Sequence, residues 1–181
     1  KIAANLETCT EWAVVVSGPS YPDALSANFL AGALAANTPD DVPVLLVNTD
    51  SVPASIAAYM VSAGVKNVYI VGGTAAVSAA VQTALSSTLA TRCADTKPNN
   101  STQPVDGQRI NVVRIAGADR YATNRAVVNA GSNIYNAPSE NTVQLEFLQP
   151  GKRTAILATG TAFADALAAG PAVYNGIPLI L

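Results

Sequence analysis

The chain has no histidine, only two cysteines and few aromatic residues, and these shortages exclude several kinds of site. Without histidine there is no Ser-His or Cys-His nucleophile pair and no imidazole ligand for a metal ion. Charged residues are also scarce, at 12% of the chain against about 25% in ordinary globular proteins. The net charge of −2 comes without a basic run, so nucleic acid is not an expected partner.

The abundant residues predict a packed α/β fold. Hydrophobic residues make up 50% of the 181, enough for the core of one sizeable domain or two small ones. Short runs rich in valine, isoleucine and leucine alternate with alanine-rich segments; the runs include "WAVVVS", "VPVLLV", "NVYIVGG" and "INVVRIAG". Strands that are apolar on both faces and separated by helices are typical of a doubly wound, mainly parallel sheet with helices on both faces.

The stretch 155–181 is apolar enough to suggest a membrane span, since Asp165 is its only charged residue. The similar stretch 13–47, however, breaks into short apolar runs, a Gly/Pro turn and an alanine-rich helix. We therefore predict buried α/β structure here and no membrane span.

The chain contains an internal repeat. The segment "SYPDALSANF" at 20–29 recurs as "AFADALAAGP" at 162–171, with Asp165 in the place of Asp23. The same alignment, extended across a gap, brings "VPVLL" onto "IPLIL". Self-similarity of this kind indicates duplicated structural units.

The repeat divides the chain into three parts. Residues 1–92 are most of one repeat with its front missing, and 110–181 are the front of a second repeat with its end missing. Between them, 93–109 is a polar insertion or linker, because it has turn residues and no periodicity. This division is compatible with folding as one compact unit.

Cys9 and Cys93 lie too far apart in sequence for a metal knuckle. They are either two unrelated buried thiols or one long-range disulfide of an extracytoplasmic protein. The rest of the sequence favours the disulfide, which intact mass with and without reductant distinguishes from free thiols.

An ordered set of motifs resembles the signature of the cell wall-binding repeat 2 family. The motifs are "RIAGADRYAT" at 114–123, "YPDALSA" at 21–27 with "FADALAA" at 163–169, "VPVLL" with "IPLIL", and "VYIVGGTAAVS" at 68–78. The resemblance implies Rossmann-like α/β repeats, usually three in tandem, packed with neighbouring repeats or other copies in a trimer-like arrangement. It also implies noncovalent anchoring of Gram-positive surface proteins to an anionic secondary cell-wall polymer, with catalysis left to other domains.

The two repeated aspartates are expected at equivalent helix starts. A carboxylate at Asp23 or Asp165 can accept hydrogen bonds from free backbone N–H groups and complement the positive end of the helix. Ser20 also has capping-box spacing to Asp23, but the second copy has Ala162 there. We favour helix capping over direct contact with a ligand or a subunit, and both alternatives stay open.

The strand in "RIAGADRYAT" is followed by Asp119 and Arg120 at the start of a helix, beyond the carboxyl end of the strand. Ligands of open α/β sheets bind at that edge. Arg120 is the best candidate for holding a phosphate or carboxylate group, because a guanidinium pairs with such groups in a bidentate way. The alternative is a salt bridge from Arg120 to Asp119 or to a neighbouring repeat.

Gly72, Gly73 and Thr74 come directly after a strand and before a helix. Their backbone amides are placed to hold an anion. A tight turn without a ligand is the alternative that we favour, because the segment lacks a G-x-G-x-x-G pattern.

Together these observations predict a non-catalytic, extracellular wall-anchoring module with no catalytic residue, metal or cofactor. One alternative is a Rossmann-like enzyme domain that binds a nucleotide or a sugar, which would need a cofactor. The other is a structural self-association domain of a surface protein, which would form a stable oligomer without affinity for a polymer.

Overall fold

A computed structural model describes residues 9–38, 41–91, 107–135, 155–161, 166, 168–174 and 177–181. In chain order they form β1 (Trp12–Ser17), α1 (Tyr21–Ala35), β2 (Val44–Val47), α2 (Ala54–Ser62), β3 (Asn67–Val71), α3 (Ala79–Ser87), β4 (Asn111–Ile115), α4 (Arg120–Tyr135), β5 (Ile156–Leu157), α5 (Gly170–Tyr174) and β6 (Leu179–Ile180). In this part of the chain no helix is both long and apolar enough to cross a membrane.

The first four strands form one parallel sheet in the order β2-β1-β3-β4. Val15 of β1 lies opposite Leu45 of β2 on one side and Ile70 of β3 on the other. Because all four strands run the same way, their carboxyl ends meet at one edge of the sheet. The predicted α/β class and parallel sheet are therefore confirmed.

Helices cover both faces of this sheet because successive side chains of β1 point to opposite sides. Ala13 and Val15 are fully buried against α2 and α3, where they contact a cluster that includes Met60 and Leu85. Val14 and Val16 are fully buried in a cluster on the opposite face with residues of α1 and α4 such as Leu30 and Val127. The apolar runs of the sequence thus become strands that are buried on both sides.

The strand β2 begins later than its apolar run predicts. The run "VPVLLV" at 42–47 forms a strand only from Val44, because Pro43 has no N–H group to donate to the ladder. The carbonyl of Pro43 still accepts a hydrogen bond from Val14 at 2.9 Å. Pro43 is therefore the first residue of this segment that bonds to β1, through its carbonyl group alone.

The C-terminal segment packs against α1. The strands β5 and β6 pair in parallel, and Leu179 of β6 joins Phe29 of α1 and Val173 of α5 in a third buried cluster. The helices α1 and α4 approach closely where Gly131 faces Phe29, since a Cβ at Gly131 would lie 2.6 Å from the Phe29 ring. A small residue is required at this crossing.

Asn124 connects three elements through its buried amide. Its Nδ2 donates to the Ser26 hydroxyl at 2.7 Å and to the Leu179 carbonyl at 2.8 Å. Its Oδ1 accepts from the Leu181 backbone N–H at 3.3 Å. This side chain joins α4 to α1 and to β6, and a buried polar group of this kind is stable because it is hydrogen-bonded.

Candidate functional site

A pocket of about 220 Å³ opens at the carboxyl edge of the four-stranded sheet. The adjacent strands β1 and β3 lead into α1 and α3, which pack on opposite faces of the sheet. Their connections therefore diverge and leave a crevice at the place where ligands of open α/β sheets bind. We call this crevice the strand-end pocket; the lining residues that matter below are Ser20, Asp23, Gly73, Asp119, Arg120 and Thr123.

Asp23 forms one wall of the strand-end pocket. It is the third residue of α1, only 8% exposed, and the N-cap residue Ser20 makes no side-chain cap hydrogen bond. Burial raises the pKa of the Asp23 carboxyl, and the positive charge of Arg120 opposes that rise. The helix begins at Tyr21, so the predicted position of Asp23 near a helix start is confirmed. Its predicted capping hydrogen bond, however, is absent from the described contacts of this helix start.

Gly72 lies directly behind the Asp23 carboxylate. A Cβ at Gly72 would lie 2.8 Å from Asp23 Oδ2, closer than side chains approach one another. The φ angle of Gly72 is also +121°, which glycine adopts at little cost and other residues rarely adopt. Glycine at this position therefore leaves room for the Asp23 carboxylate.

Asp119 has a different role at the start of α4. Its Oδ1 accepts a hydrogen bond from the Ala122 backbone N–H at 2.8 Å, as an N-cap side chain does. The preceding turn is fixed by a second bond, from the Gly117 backbone N–H to Thr123 Oγ1 at 3.0 Å. Asp119 is therefore occupied as a helix cap.

Arg120 follows Asp119 and is exposed at the rim of the strand-end pocket. Its Nη1 donates to the Gly160 carbonyl at 2.7 Å, which connects the pocket to the C-terminal segment. This bond uses one of the five N–H donors of the guanidinium. Among the described residues Arg120 forms no ion pair with Asp23 or Asp119. The other form of the alternative, a salt bridge to a neighbouring repeat, stays a prediction.

Sequence reasoning missed Arg114, which fixes the loop between β3 and α3. Its Nη1 donates to the Gly72 carbonyl at 2.7 Å, and its Nη2 donates to the Ser78 carbonyl at 3.3 Å. Its Nε donates to Gln82 Oε1 at 3.0 Å. Burial lowers the pKa of this guanidinium. The signal in the sequence was a single arginine within the apolar strand "NVVRI".

The other predicted site residues are distributed as follows. Gly73 lines the strand-end pocket, whereas Thr74 lies in the same turn but is exposed and outside the lining. Asp165 lies outside the described residues.

Cys9 is disulfide-bonded, and its expected partner Cys93 lies outside the described residues, so the pairing stays a prediction. No cluster of His, Cys, Asp or Glu suited to a metal occurs in the described ranges.

Comparison with known proteins gives a family match over most of the chain. Residues 1–82 and 114–181 match the family described as Cell wall binding domain 2 (CWB2). A curated relative is the N-acetylmuramoyl-L-alanine amidase LytC of Bacillus subtilis strain 168, 29% identical over 181 residues. The match covers 99% of this chain but only 28% of the length of that amidase.

Two solved structures have a similar fold. Cwp6 from Clostridium difficile matches with a TM-score of 0.63 and 22% identity, over 96% of this chain and 21% of that protein. Cwp8 from the same organism matches with a TM-score of 0.60 and 23% identity, over 96% of this chain and 23% of that protein. At these identities the likeness concerns the fold.

Proposed function

Because the chain belongs to the Cell wall binding domain 2 family, we propose that it is a noncovalent anchoring module for a Gram-positive cell wall. Its ligand is an anionic secondary polymer of that wall, and its location is extracellular, at the cell surface. The observation that carries this proposal is the strand-end pocket, where the Arg120 guanidinium meets the start of α4 and the turn after β3.

Two features of the pocket suit an anionic group. Four N–H donors of Arg120 remain after its bond to Gly160, enough for a bidentate pair with a phosphate or carboxylate. Gly73 adds open backbone, since no atom lies within 4 Å of the place where its Cβ would be. With an overall charge of −2, attraction of an anion depends on such local groups.

The module itself is non-catalytic in this proposal. Asp119 is used as a helix cap, and within the described contacts no hydrogen bond joins Asp23 to the hydroxyl of Ser20 or Thr123 in the pocket lining. Catalysis would belong to other domains of a longer polypeptide. The match to an amidase supports this arrangement because the chain spans only 28% of that relative.

The domain plan is also a proposal: a Rossmann-like, doubly wound fold built from repeats at 1–92 and 110–181, joined by the insertion 93–109. Equivalent hydrogen bonds support it. Val14 N–H donates to the Pro43 carbonyl at 2.9 Å, and Ile156 N–H donates to the Pro178 carbonyl at the same distance. Neighbouring repeats or other copies of the chain would pack beside these units in a trimer-like arrangement.

Cosedimentation with purified walls of Bacillus subtilis strain 168 tests the function, before and after acid extraction of the secondary polymers. We expect binding that is lost with the polymers and is weakened at least tenfold in Arg120→Ala, since a charged hydrogen bond is removed. Arg125→Ala is the matched control, because Arg125 is an exposed arginine of α4 outside the pocket lining. Equal binding to intact and extracted walls would contradict the proposal.

A further inference from the structure

Asp23 is a buried carboxylate whose partner is not explained by the fold. It is more than nine-tenths buried and lines the strand-end pocket. Within the described residues its carboxylate makes no hydrogen bond, and the start of α1 has no side-chain cap. Buried carboxylates normally have partners because burying one without a partner is unfavourable. The Asp23 oxygens are not among the fully enclosed, unpartnered atoms of the described residues, so they are reached from the pocket, where water or an entering group can pair with them.

Two neighbours aim this carboxylate without satisfying it. Gly72 leaves room for the carboxylate only because it has no Cβ, and Asp23 lines the pocket. Arg120 attracts the carboxylate electrostatically but forms no ion pair with it. The pocket thus presents an acceptor and a cation as separate groups.

An anion alone does not suit this arrangement. A phosphate beside Arg120 would also meet the negative charge of Asp23 across a pocket of about 220 Å³. A carboxylate accepts hydrogen bonds and donates none, so the complementary ligand group is an O–H or N–H donor. The size is smaller than that of most ligand pockets and fits one small unit of a polymer, not a long segment.

We infer that the strand-end pocket binds a single sugar unit of the wall polymer that carries a hydrogen-bond donor, a hydroxyl or an ammonium, beside its anionic group. Asp23 accepts from the donor while Arg120 pairs with the anion. This inference rests on the proposed function and adds that Asp23 determines which polymer is accepted.

The test is the affinity of the 181-residue chain and two variants for walls of Bacillus subtilis strain 168 at pH 7.5. Asp23→Asn keeps the size of the side chain but replaces one acceptor oxygen by a donor group. We expect its affinity to fall at least tenfold, because a hydrogen bond to a charged group is lost. Asp50→Asn is the matched control, because Asp50 is an exposed aspartate outside the pocket lining, and it should bind walls as tightly as the wild type.

Each outcome decides the inference. Suppose that Asp23→Asn binds as tightly as the wild type, and that the wild type binds intact walls but not walls without the polymer. Asp23 then accepts hydrogen bonds only from water, and the inference fails although the proposed function stands. If Asp23→Asn binds more tightly than the wild type, Asp23 acts as a repulsive charge, and the inference fails again. If the wild type does not bind walls at all, the proposed function fails and the inference fails with it.

Chemical treatment of the walls separates the two donor types. Acetic anhydride converts free amines of the polymer to amides and leaves the protein untouched when it is removed before binding. If the wild type and Asp23→Asn have equal affinity for the treated walls, the donor is an ammonium group. If the wild type still binds the treated walls more tightly, the donor is a hydroxyl. Unfolding by urea, measured on each variant, confirms that a weaker binder is folded.

Discussion

The helices α1 and α4 both begin at the strand-end pocket with an aspartate, yet the two aspartates differ in what they contact. Asp119 precedes α4 and accepts a backbone hydrogen bond at 2.8 Å, which satisfies one of the free N–H groups of that helix. Asp23 lies in the first turn of α1, where no side chain caps the helix. Of these two aspartates near helix starts, Asp119 is therefore a structural cap, whereas Asp23 has the position that we propose for a ligand acceptor. The hydrogen bonds distinguish the two.

The start of α4 depends on Gly117, and replacing this residue should change the free energy of unfolding more than any other substitution proposed here. A Cβ at Gly117 would lie 2.4 Å from both the carbonyl carbon and the Cβ of Ala122. Gly117→Ala should therefore lower the free energy of unfolding by at least about 2 kcal/mol in urea. Gly73→Ala is the control, since a Cβ there meets nothing within 4 Å and should change stability by less than about 0.5 kcal/mol. Equal stability of the two variants would contradict the close packing at α4.

Arg114 supports the wall of the pocket that faces both helix starts. Arg114→Met keeps the apolar stem but removes the donors to the Gly72 and Ser78 carbonyls. We expect a loss of about 1 to 3 kcal/mol in the free energy of unfolding, because these carbonyls lose charged donors. Arg125→Met removes an exposed arginine and should change it by less than about 0.5 kcal/mol. A similar small change in both would mean that Arg114 does not fix the loop.

The cap itself gives a smaller effect. Asp119→Ala should lower the free energy of unfolding by about 1 kcal/mol, while Asp119→Asn should nearly retain it because asparagine also caps helices. Urea unfolding at pH 7 measures both. A loss of the same size in Asp119→Asn would indicate that the charge, and not the cap bond to Ala122, stabilises α4.

The smallest expected effect is the pH dependence of stability that comes from Asp23. Its pKa in the folded chain is raised above the ordinary value of 3.8, so the folded state binds the proton more tightly than the unfolded state. This contribution to stability is therefore present at low pH and is lost as the pH rises from about 3.8 through the raised pKa. The stability of the wild type relative to Asp23→Asn should fall over that interval and then level off. A rising or flat difference would contradict the burial of an unpaired carboxylate.

Much of the fold was predictable because it depends on local pattern. The run "WAVVVS" gives β1, since a strand buried on both faces needs apolar residues at every position. The location of Asp119 and Arg120 at a strand end was predictable for the same reason. A strand followed by a helix places both residues at the carboxyl edge of the sheet.

The rest depends on contacts between residues far apart in the chain. The Arg114 bonds to Gly72 and Gln82 join residues 42 and 32 positions apart, and no periodicity reports them. The Asn124 connection to Leu179 spans 55 positions. The absence of a cap bond at Asp23 is likewise a matter of geometry, since its position near the helix start was predicted correctly.

The most direct test of the account measures wall affinity and urea unfolding on the same preparation of Asp23→Asn at pH 7.5. We predict that the two quantities separate: affinity for walls falls at least tenfold, while the free energy of unfolding stays equal or rises, because a buried charge without a partner is removed. A variant that loses stability and keeps its affinity for walls would show that Asp23 is a structural residue and would contradict the account.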